Sequence, residues 1–308
     1  MKCVEGMAWN VFEVCTALRA LGSIMILVVL GVVGVTYYSV VFVNYGPALL
    51  VGGVHSLISL AVLFPFHALL VMLLWCYFAT IVTDPGGVPS DWKPLTDEEN
   101  GDATSLVELD PDNVRLNQFP LCAENMRYCR KCNHFKPQRC HHCSVCGRCI
   151  LKMDHHCVWV VNCVGARNYK FFLLFLFYTF LETSLVALSL LGHFVQSFTD
   201  GENSESSGTL ISAFVTFVMN FSFALSILGF LIMHALLLLS NTTSIEVHNK
   251  KKTQQWYFDL GRKKNFEQVF GMDKRYWLVP AYSEEDIRCM PVLCGLDYPI
   301  RPNIDEPA

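Results

Sequence analysis

Long apolar blocks alternate with polar segments along the chain. Residues 20–83 contain no Asp, Glu, Lys or Arg at all. Lipid cannot satisfy open backbone groups, and a helix needs roughly 20 apolar residues to cross a bilayer. We therefore predict four transmembrane helices, with turn signals between the first two at residues 44–47 and at Gly52-Gly53. The four blocks cover residues 20–43, 54–82, 171–198 and 210–239.

Composition agrees with this pattern. Of the 308 residues, 53% are hydrophobic and 16% are charged. A soluble domain has about 45–50% apolar and about 25% charged residues. The chain is therefore predicted to be an all-α polytopic membrane protein, and not a soluble globule or a disordered chain. The formal net charge of −4 says little about partners, because charge in such a protein is distributed by the side of the membrane.

The basic residues predict an orientation in the bilayer. All 23 Lys and Arg residues lie outside the short connections 44–53 and 199–209. Cytosolic segments carry the excess of Lys and Arg, so both termini and the central segment are predicted to be cytosolic. Residues 90–118 are acidic and aperiodic, which is typical of a flexible linker. The predicted division is an N-terminus (1–19), helices one and two (20–82), a cytosolic segment (83–170), helices three and four (171–239) and a cytosolic tail (240–308).

Nine of the fourteen cysteines lie within residues 122–163. Structural disulfides are rare in the cytosol, so closely spaced cysteines there indicate metal binding or catalysis. Four two-residue gaps let both sulfurs of a pair reach one tetrahedral zinc ion. From residue 129 onward there are eight cysteines and five histidines in this cluster, enough for two zinc ions with some groups left over. A loop-rich two-zinc domain is therefore predicted at about residues 127–170, between the second and third helices.

One run within the cluster has the composition of a catalytic site. Asp154-His155-His156-Cys157 places a thiol two residues from a histidine and a carboxylate next to that histidine. The imidazole can take the thiol proton while the carboxylate orients the imidazole. Spacing alone equally allows His155 and Cys157 to be further zinc ligands in a purely structural module.

A wider set of positions carries a family resemblance. Within the cluster these are Cys129, Cys132, Lys136, Pro137, Arg139, His142, Cys143, Cys146, Cys149, the run 154–157, Trp159, Asn162, Cys163, Gly165, Asn168 and Phe172. Outside it they are Asp84-Pro85-Gly86, Thr243-Ser244-Ile245-Glu246 and Asn265-x3-Val269-Phe270-Gly271. Together they strongly resemble DHHC protein S-acyltransferases (palmitoyltransferases), with their DPG, TTxE and C-terminal motifs. Ser244 stands for a threonine of the family and keeps a hydroxyl. Val158 stands for the usual proline and Val161 for a common asparagine, which should loosen the loop after Cys157.

The resemblance implies roles that spacing leaves open. Cys157 would be the acylated nucleophile, His155 its base and Asp154 the orienting acid. A long-chain acyl-CoA such as palmitoyl-CoA would acylate Cys157, and the chain would then pass to cysteines of cytosolic or peripheral membrane proteins. Cys122 and Cys140 would be spare thiols. Two structural zinc ions would be bound, one by Cys129, Cys132, His142 and Cys149, the other by Cys143, Cys146, His156 and Cys163. The family also suggests the endomembrane system, with the Golgi first and the plasma membrane second.

Basic and aromatic side chains near the catalytic run are candidates for contacts with acyl-CoA. Lys136, Arg139 and His141 are predicted to bind the CoA phosphates, although a solvated basic face attracted to lipid is the alternative. Trp159 is predicted to pack beside the thioester or to serve as an interfacial anchor. The tail interleaves basic and aromatic residues over 250–266, a mix that suits the bilayer surface and not nucleic acid.

Glu182 lies near the middle of the third apolar block. A carboxylate there usually faces the bundle interior and has a partner. We hypothesise that it helps to close the far end of an acyl cavity and influences chain length, a helix–helix contact being the alternative. Its candidate partners in the first helix are Thr36, Tyr37 and Ser39. In the fourth helix, Asn220 and His234 are interpreted as packing residues.

Two other functional classes compete with an acyltransferase. A membrane-anchored adaptor or a RING-like ubiquitin ligase would also contain a zinc module. A RING domain needs its cysteine pairs in a different order and has no use for the motifs after the second and fourth helices. A channel or transporter is disfavoured because Glu182 is the one acidic or basic residue well inside the four apolar blocks.

Overall fold

The computed structural model describes residues 11–90, 92, 127–199, 207–249 and 256–301. This part of the chain is mostly helical. Four of its helical stretches are long and apolar enough to cross a membrane, which confirms the predicted four-helix membrane protein. They are Ile24–Val51, Gly53–Val82, Tyr169–Val195 and Gly208–Leu239. Cys122, most of the predicted linker 90–118 and the basic run 250–252 lie outside the described residues.

Along the chain, six short strands separate two pairs of long helices. The strands lie between the second and third membrane spans: β1 (Arg127–Cys129), β2 (His134–Lys136), β3 (His141–Cys143), β4 (Arg148–Ile150), β5 (His155–Cys157) and β6 (Asn162–Val164). The α-helices are α1 (Val11–Tyr37), α2 (Gly46–Val51), α3 (Gly53–Val82), α4 (Tyr169–Thr199), α5 (Ser207–Leu239), α6 (Ser244–Asn249), α7 (Arg262–Phe270), α8 (Glu284–Cys289) and α9 (Pro291–Cys294). A π-helical stretch, Tyr38–Tyr45, joins α1 to α2, and a 3₁₀ turn covers Lys274–Tyr276.

The first membrane span continues past its predicted end. Helical backbone covers residues 44–47, so the turn predicted there is wrong. Two polar donors of that region find partners without a turn, because Asn44 donates to the Ser39 carbonyl at 2.7 Å and Tyr45 donates to the Ser189 carbonyl at 2.7 Å. The chain instead reverses at Gly52-Gly53, where both residues have positive φ, 81° and 64°, a conformation that glycine adopts without steric cost.

Helix α4 occupies the centre of the bundle. In its most apolar stretch of 18 residues, 61% of the residues are buried, against 17–22% in the corresponding stretches of the other three spans. The reason is that α4 packs along both α3 and α5. Its first turns, from Phe171 to Leu174, are buried and follow directly on the cysteine-rich domain. That domain therefore ends at a buried turn of the central helix.

The cysteine-rich domain consists of three antiparallel hairpins, β1–β2, β3–β4 and β5–β6. Each strand has three residues, so the predicted loop-rich character is confirmed, with these short ladders added. The register places His142 opposite Cys149 and His156 opposite Cys163. The second and third hairpins thereby each place one histidine directly opposite one cysteine.

Polar side chains fix this domain to the end of α3. The Asn162 amide donates to the carbonyls of Thr80, Ile81 and Thr83 at 3.1, 3.1 and 2.9 Å, and so satisfies carbonyls that a helix end leaves open. Just beyond, the Gly86 carbonyl accepts from the Leu151 N–H at 2.9 Å. The run of residues 154–157 therefore lies in a domain that is fixed against the membrane bundle.

Candidate active site

Two Cys₃His clusters form in the domain, and they are the two predicted ligand sets. In the first, His142 Nδ1 lies 3.2–3.9 Å from the sulfurs of Cys129, Cys132 and Cys149. In the second, His156 Nδ1 lies 3.5–3.7 Å from the sulfurs of Cys143, Cys146 and Cys163. Tetrahedral zinc with Zn–S of about 2.3 Å and Zn–N of about 2.0–2.1 Å spaces its donors roughly 3.5–3.8 Å apart. Both donor sets therefore fit a structural zinc ion.

Strand alternation explains why the two clusters interleave. Successive side chains of a strand point to opposite faces, so β3 sends His142 to the first cluster and Cys143 to the second. In β5 the same alternation turns His156 toward the second cluster and leaves His155 and Cys157 together on the other face. Of the two interpretations left open by spacing, this geometry favours a separate His155–Cys157 pair over two further zinc ligands.

Asp154, His155 and Cys157 lie next to one another in the order carboxylate, imidazole, thiol. The Asp154 carboxylate is buried, with 2% of its side chain exposed, and its Oδ2 lies 2.7 Å from His155 Nδ1. Cys157 is also buried, and His155 lies close enough to lower the pKa of its thiol. The imidazole thus lies between a carboxylate and a thiol, the arrangement in which it can accept a proton from sulfur.

The charges of this series stabilise a thiolate. Burial raises the pKa of the Cys157 thiol, but hydrogen bonds from His155 and from the backbone N–H groups of Val160 and Trp159 outweigh it, so the pKa is lowered overall. Burial likewise opposes a charge on His155, yet its bonds to Asp154 and Cys157 raise its pKa to about 9. A neighbouring imidazolium is a common cause of thiolate reactivity.

Helix α6 supplies further support for the carboxylate. The Ser244 N–H donates to Asp154 Oδ1 at 2.8 Å, and the Ser244 hydroxyl donates to Oδ2 at 2.9 Å. The hydroxyl that the sequence retains at this position therefore makes a direct contact. Despite burial, the hydrogen bond and charge of His155, together with the bond from the Ser244 N–H, lower the pKa of Asp154, so it stays ionised and keeps His155 oriented.

Lys136, Arg139 and His141, which are predicted to bind the CoA phosphates, do not form one exposed basic surface. Arg139 is 4% exposed and donates to both carboxylate oxygens of Glu246 at 2.6 and 2.7 Å. Burial, together with the charge of Arg127, lowers the pKa of His141 to about 4, so it is neutral near pH 7. The prediction is therefore wrong for Arg139, a structural side chain, and unsupported for His141 as a cation. For Lys136, on β2, it stays a prediction.

The loop after Cys157 is held from the membrane side. The Tyr77 hydroxyl on α3 donates to the Trp159 carbonyl at 2.9 Å, while the Trp159 side chain is 45% exposed. Val161 has φ 51°, a left-handed conformation that is strained for a β-branched residue and that asparagine tolerates better. The departure from the family pattern therefore introduces local strain, and the contact from Tyr77 ties the loop down.

Glu182 is 5% exposed in the middle of α4. Within the described residues neither carboxylate oxygen has a hydrogen-bond partner, so the predicted partners in the first helix are wrong. Two of them are engaged by α5, since Asn220 donates to Thr36 at 3.2 Å and Ser212 donates to Ser39 at 3.0 Å.

Sequence reasoning missed two neighbours of the site. His234 on α5 was interpreted as ordinary packing, but its ring lies 5.9 Å from that of His155. Tyr77 gave no signal, because an interfacial tyrosine on a membrane helix is common. His55, His67 and His193 also lie in membrane spans, so an intramembrane position alone did not distinguish His234.

The chain is similar to known proteins over nearly all its length. Residues 123–251 match the family described as DHHC palmitoyltransferase. "Probable protein S-acyltransferase 14" of Arabidopsis thaliana is 63% identical over 300 residues, covering 97% of each chain. "Probable protein S-acyltransferase 13" of the same plant is 60% identical over 297 residues, 96% of each chain. "Palmitoyltransferase ZDHHC2" of Mus musculus is 38% identical over 245 residues, covering 74% of this chain and 64% of that protein.

Proposed function

Because the chain belongs to the DHHC palmitoyltransferase family and is a protein S-acyltransferase, we propose that it works in two steps through a thioester on Cys157. The observation that carries this proposal is the Asp154–His155–Cys157 series, in which the buried thiol has a lowered pKa. The donor is a long-chain acyl-CoA, and the acceptors are cysteines of cytosolic or peripheral membrane proteins.

In the first step the Cys157 thiolate attacks the thioester carbonyl of acyl-CoA. The bond between that carbonyl and the CoA sulfur breaks, and the leaving thiolate takes the proton held by His155. In the second step His155 accepts the proton of the substrate thiol, whose sulfur attacks the acyl-enzyme and displaces Cys157. One thioester replaces another each time, so no ATP and no redox cofactor is consumed.

The surroundings of Cys157 suit an acyl chain. The thiol belongs to an apolar cluster with Tyr77 of α3 and with Phe172 and Phe175 of α4. A chain of sixteen carbons that entered between these helices would gain on the order of 10 kcal/mol, at about 0.8 kcal/mol per buried CH₂. Attachment of the catalytic domain to a membrane bundle is thereby explained.

The zinc ions are proposed to be structural. Bound by the two Cys₃His sets, they would cross-link the three hairpins, since a domain of this size lacks a large core of its own. The run of residues 154–157 touches the second set through His156, which would hold the Cys157 backbone in place.

Both termini and the active site are proposed to face the cytosol, on the distribution of basic residues. Within the endomembrane system we propose the Golgi, with the plasma membrane as the alternative. Fluorescence co-localisation with markers of both compartments distinguishes the two, and an exclusive match to a third compartment would refute both.

The two-step route predicts an isolable acyl-enzyme. Purified protein is labelled with radioactive palmitoyl-CoA, freed of CoA by gel filtration and then given a protein thiol acceptor. The label should move to the acceptor without further acyl-CoA, because the thioester on Cys157 is the sole donor left. An acceptor labelled only when palmitoyl-CoA is present again would mean direct transfer and would overturn the two-step scheme.

Glu182 is proposed to limit chain length. It lies ten residues beyond Phe172 on α4, about 15 Å deeper at 1.5 Å per residue, and its buried carboxylate is unpartnered among the described residues. Glu182→Leu should shift the relative kcat/KM of C14, C16 and C18 acyl-CoAs by about tenfold, because a methylene group discriminates by roughly 1–3 kcal/mol. Glu182→Gln, of nearly equal size, is the control that keeps the wild-type order. An unchanged profile in Glu182→Leu would exclude the role.

A further inference from the structure

Three rings meet at the catalytic histidine. The rings of His155 and Phe172 lie 5.2 Å apart at 69°, those of Phe172 and His234 lie 5.2 Å apart at 78°, and those of His155 and His234 lie 5.9 Å apart at 38°. The members come from β5, α4 and α5. The imidazole of His155 is thus contacted by two rings from different membrane helices, and these two rings also contact each other.

His155 needs this support. Its side chain is 32% exposed, and the torsion that turns an imidazole about its last bond is broad and weakly restrained by itself. The bond from Nδ1 to Asp154 fixes one edge of the ring. By itself this one bond does not prevent the ring from tilting, and a tilt would change the position of the imidazole relative to Cys157.

His234 is itself firmly placed. It is 2% exposed, and its Nδ1 lies 3.3 Å from the Tyr169 hydroxyl at the start of α4. One nitrogen of His234 also lies within 4.8 Å of donor atoms of both Asp154 and His155. A buried ring tied to α4 can therefore act as a rigid wall against His155.

We propose that His234 is a positioning residue of the acyltransferase. With Phe172 it forms a ring pair that packs against His155 and limits how far the imidazole can tilt from its position between Asp154 and Cys157. The inference rests on the proposed roles of Cys157 and His155. In this proposal His234 does not contact the substrate and does not transfer a proton in the reaction.

Three variants separate the ring from its hydrogen bond. His234→Leu removes the ring at similar volume, His234→Phe keeps a ring without nitrogens, and Tyr169→Phe removes only the tie to His234. We measure zinc content, kcat and KM for autoacylation with palmitoyl-CoA, and the alkylation rate of Cys157 by iodoacetamide, read by peptide mass. Alkylation needs no acyl-CoA, so this readout fails or succeeds separately from the proposed function, which would fail if the wild type formed no acyl-enzyme.

This ring pair predicts a specific order among the variants. In His234→Leu, kcat and the alkylation rate should each fall about five- to tenfold, as expected for the loss of an aromatic pair, with KM and zinc content unchanged. His234→Phe and Tyr169→Phe should stay within about threefold of the wild type. An unchanged His234→Leu, equal losses in the Leu and Phe variants, or a loss in Tyr169→Phe as large as in His234→Leu would each overturn the proposal. If His234→Leu fails to retain zinc, Phe172→Leu removes the other ring and carries the same expectation.

Discussion

Cys157→Ser is expected to abolish labelling of the protein by palmitoyl-CoA. A serine hydroxyl has a far higher pKa than a thiol, so the ion pair with His155 that lowers the thiol pKa cannot form. Purified wild type should carry a label that neutral hydroxylamine removes, as it removes a thioester, and the variant should show only background. Zinc content should be equal in the two proteins, since Cys157 belongs to neither metal cluster.

Cys140 provides the matched control for that experiment. It lies in the same domain, is fully buried, and burial raises the pKa of its thiol to about 11. Cys140→Ser should therefore label like the wild type. If hydroxylamine-sensitive label persists in Cys157→Ser and disappears in Cys140→Ser, the acyl group is carried by Cys140. That result would refute the proposed mechanism.

Local patterns in the sequence were enough to predict much of the fold. The length of the apolar blocks sufficed for four spans, because lipid leaves a chain few alternatives. The turn predicted at residues 44–47 is wrong: the helix continues there, and Tyr45 donates to the Ser189 carbonyl 144 residues away, a partner that no local pattern reveals. Ligand spacing indicated two zinc ions, but it did not separate ligands from nucleophile. The alternation of side chains in β5 does so geometrically.

Contacts distant in sequence were beyond such reasoning. Arg139 looked like one member of a basic surface, yet its partner Glu246 lies 107 residues away. His234 lies on another helix from His155, so no spacing joins them. Charge and periodicity describe a residue's own element, whereas these roles depend on which elements pack together.

Arg139→Ala is expected to be among the most destabilising single changes in the cysteine-rich domain. The guanidinium is bidentate with Glu246 and also donates to the side chain and the carbonyl of Asn241 at 3.0 and 2.9 Å. Its carbon lies 4.7–5.6 Å from the ring centres of Trp256, Phe258 and Tyr298. Removing one partner of a buried pair leaves the other charge uncompensated and costs about 3–5 kcal/mol. Zinc release during a denaturant titration measures this loss of folding free energy.

Arg148→Ala is the control for the same titration. Arg148 also pairs with a carboxylate, that of Asp84 at 2.8 Å, but the two side chains are 43% and 51% exposed. An exposed pair contributes about 0–1 kcal/mol, so this variant should unfold almost like the wild type. Equal midpoints for Arg139→Ala and Arg148→Ala would contradict the buried role of Arg139.

Substitution of Arg139 should also lower the reactivity of Cys157. Glu246 and Ser244 share α6, and Ser244 holds both oxygens of Asp154, so a displaced α6 loosens the carboxylate that orients His155. Arg139→Lys should lose most of this support as well, because an ammonium cannot reproduce the bidentate fork. The rate of Cys157 alkylation in native, zinc-loaded Arg139→Lys should therefore fall below that of Arg148→Ala. If it does not, the bond from Ser244 to Asp154 is maintained independently of Arg139.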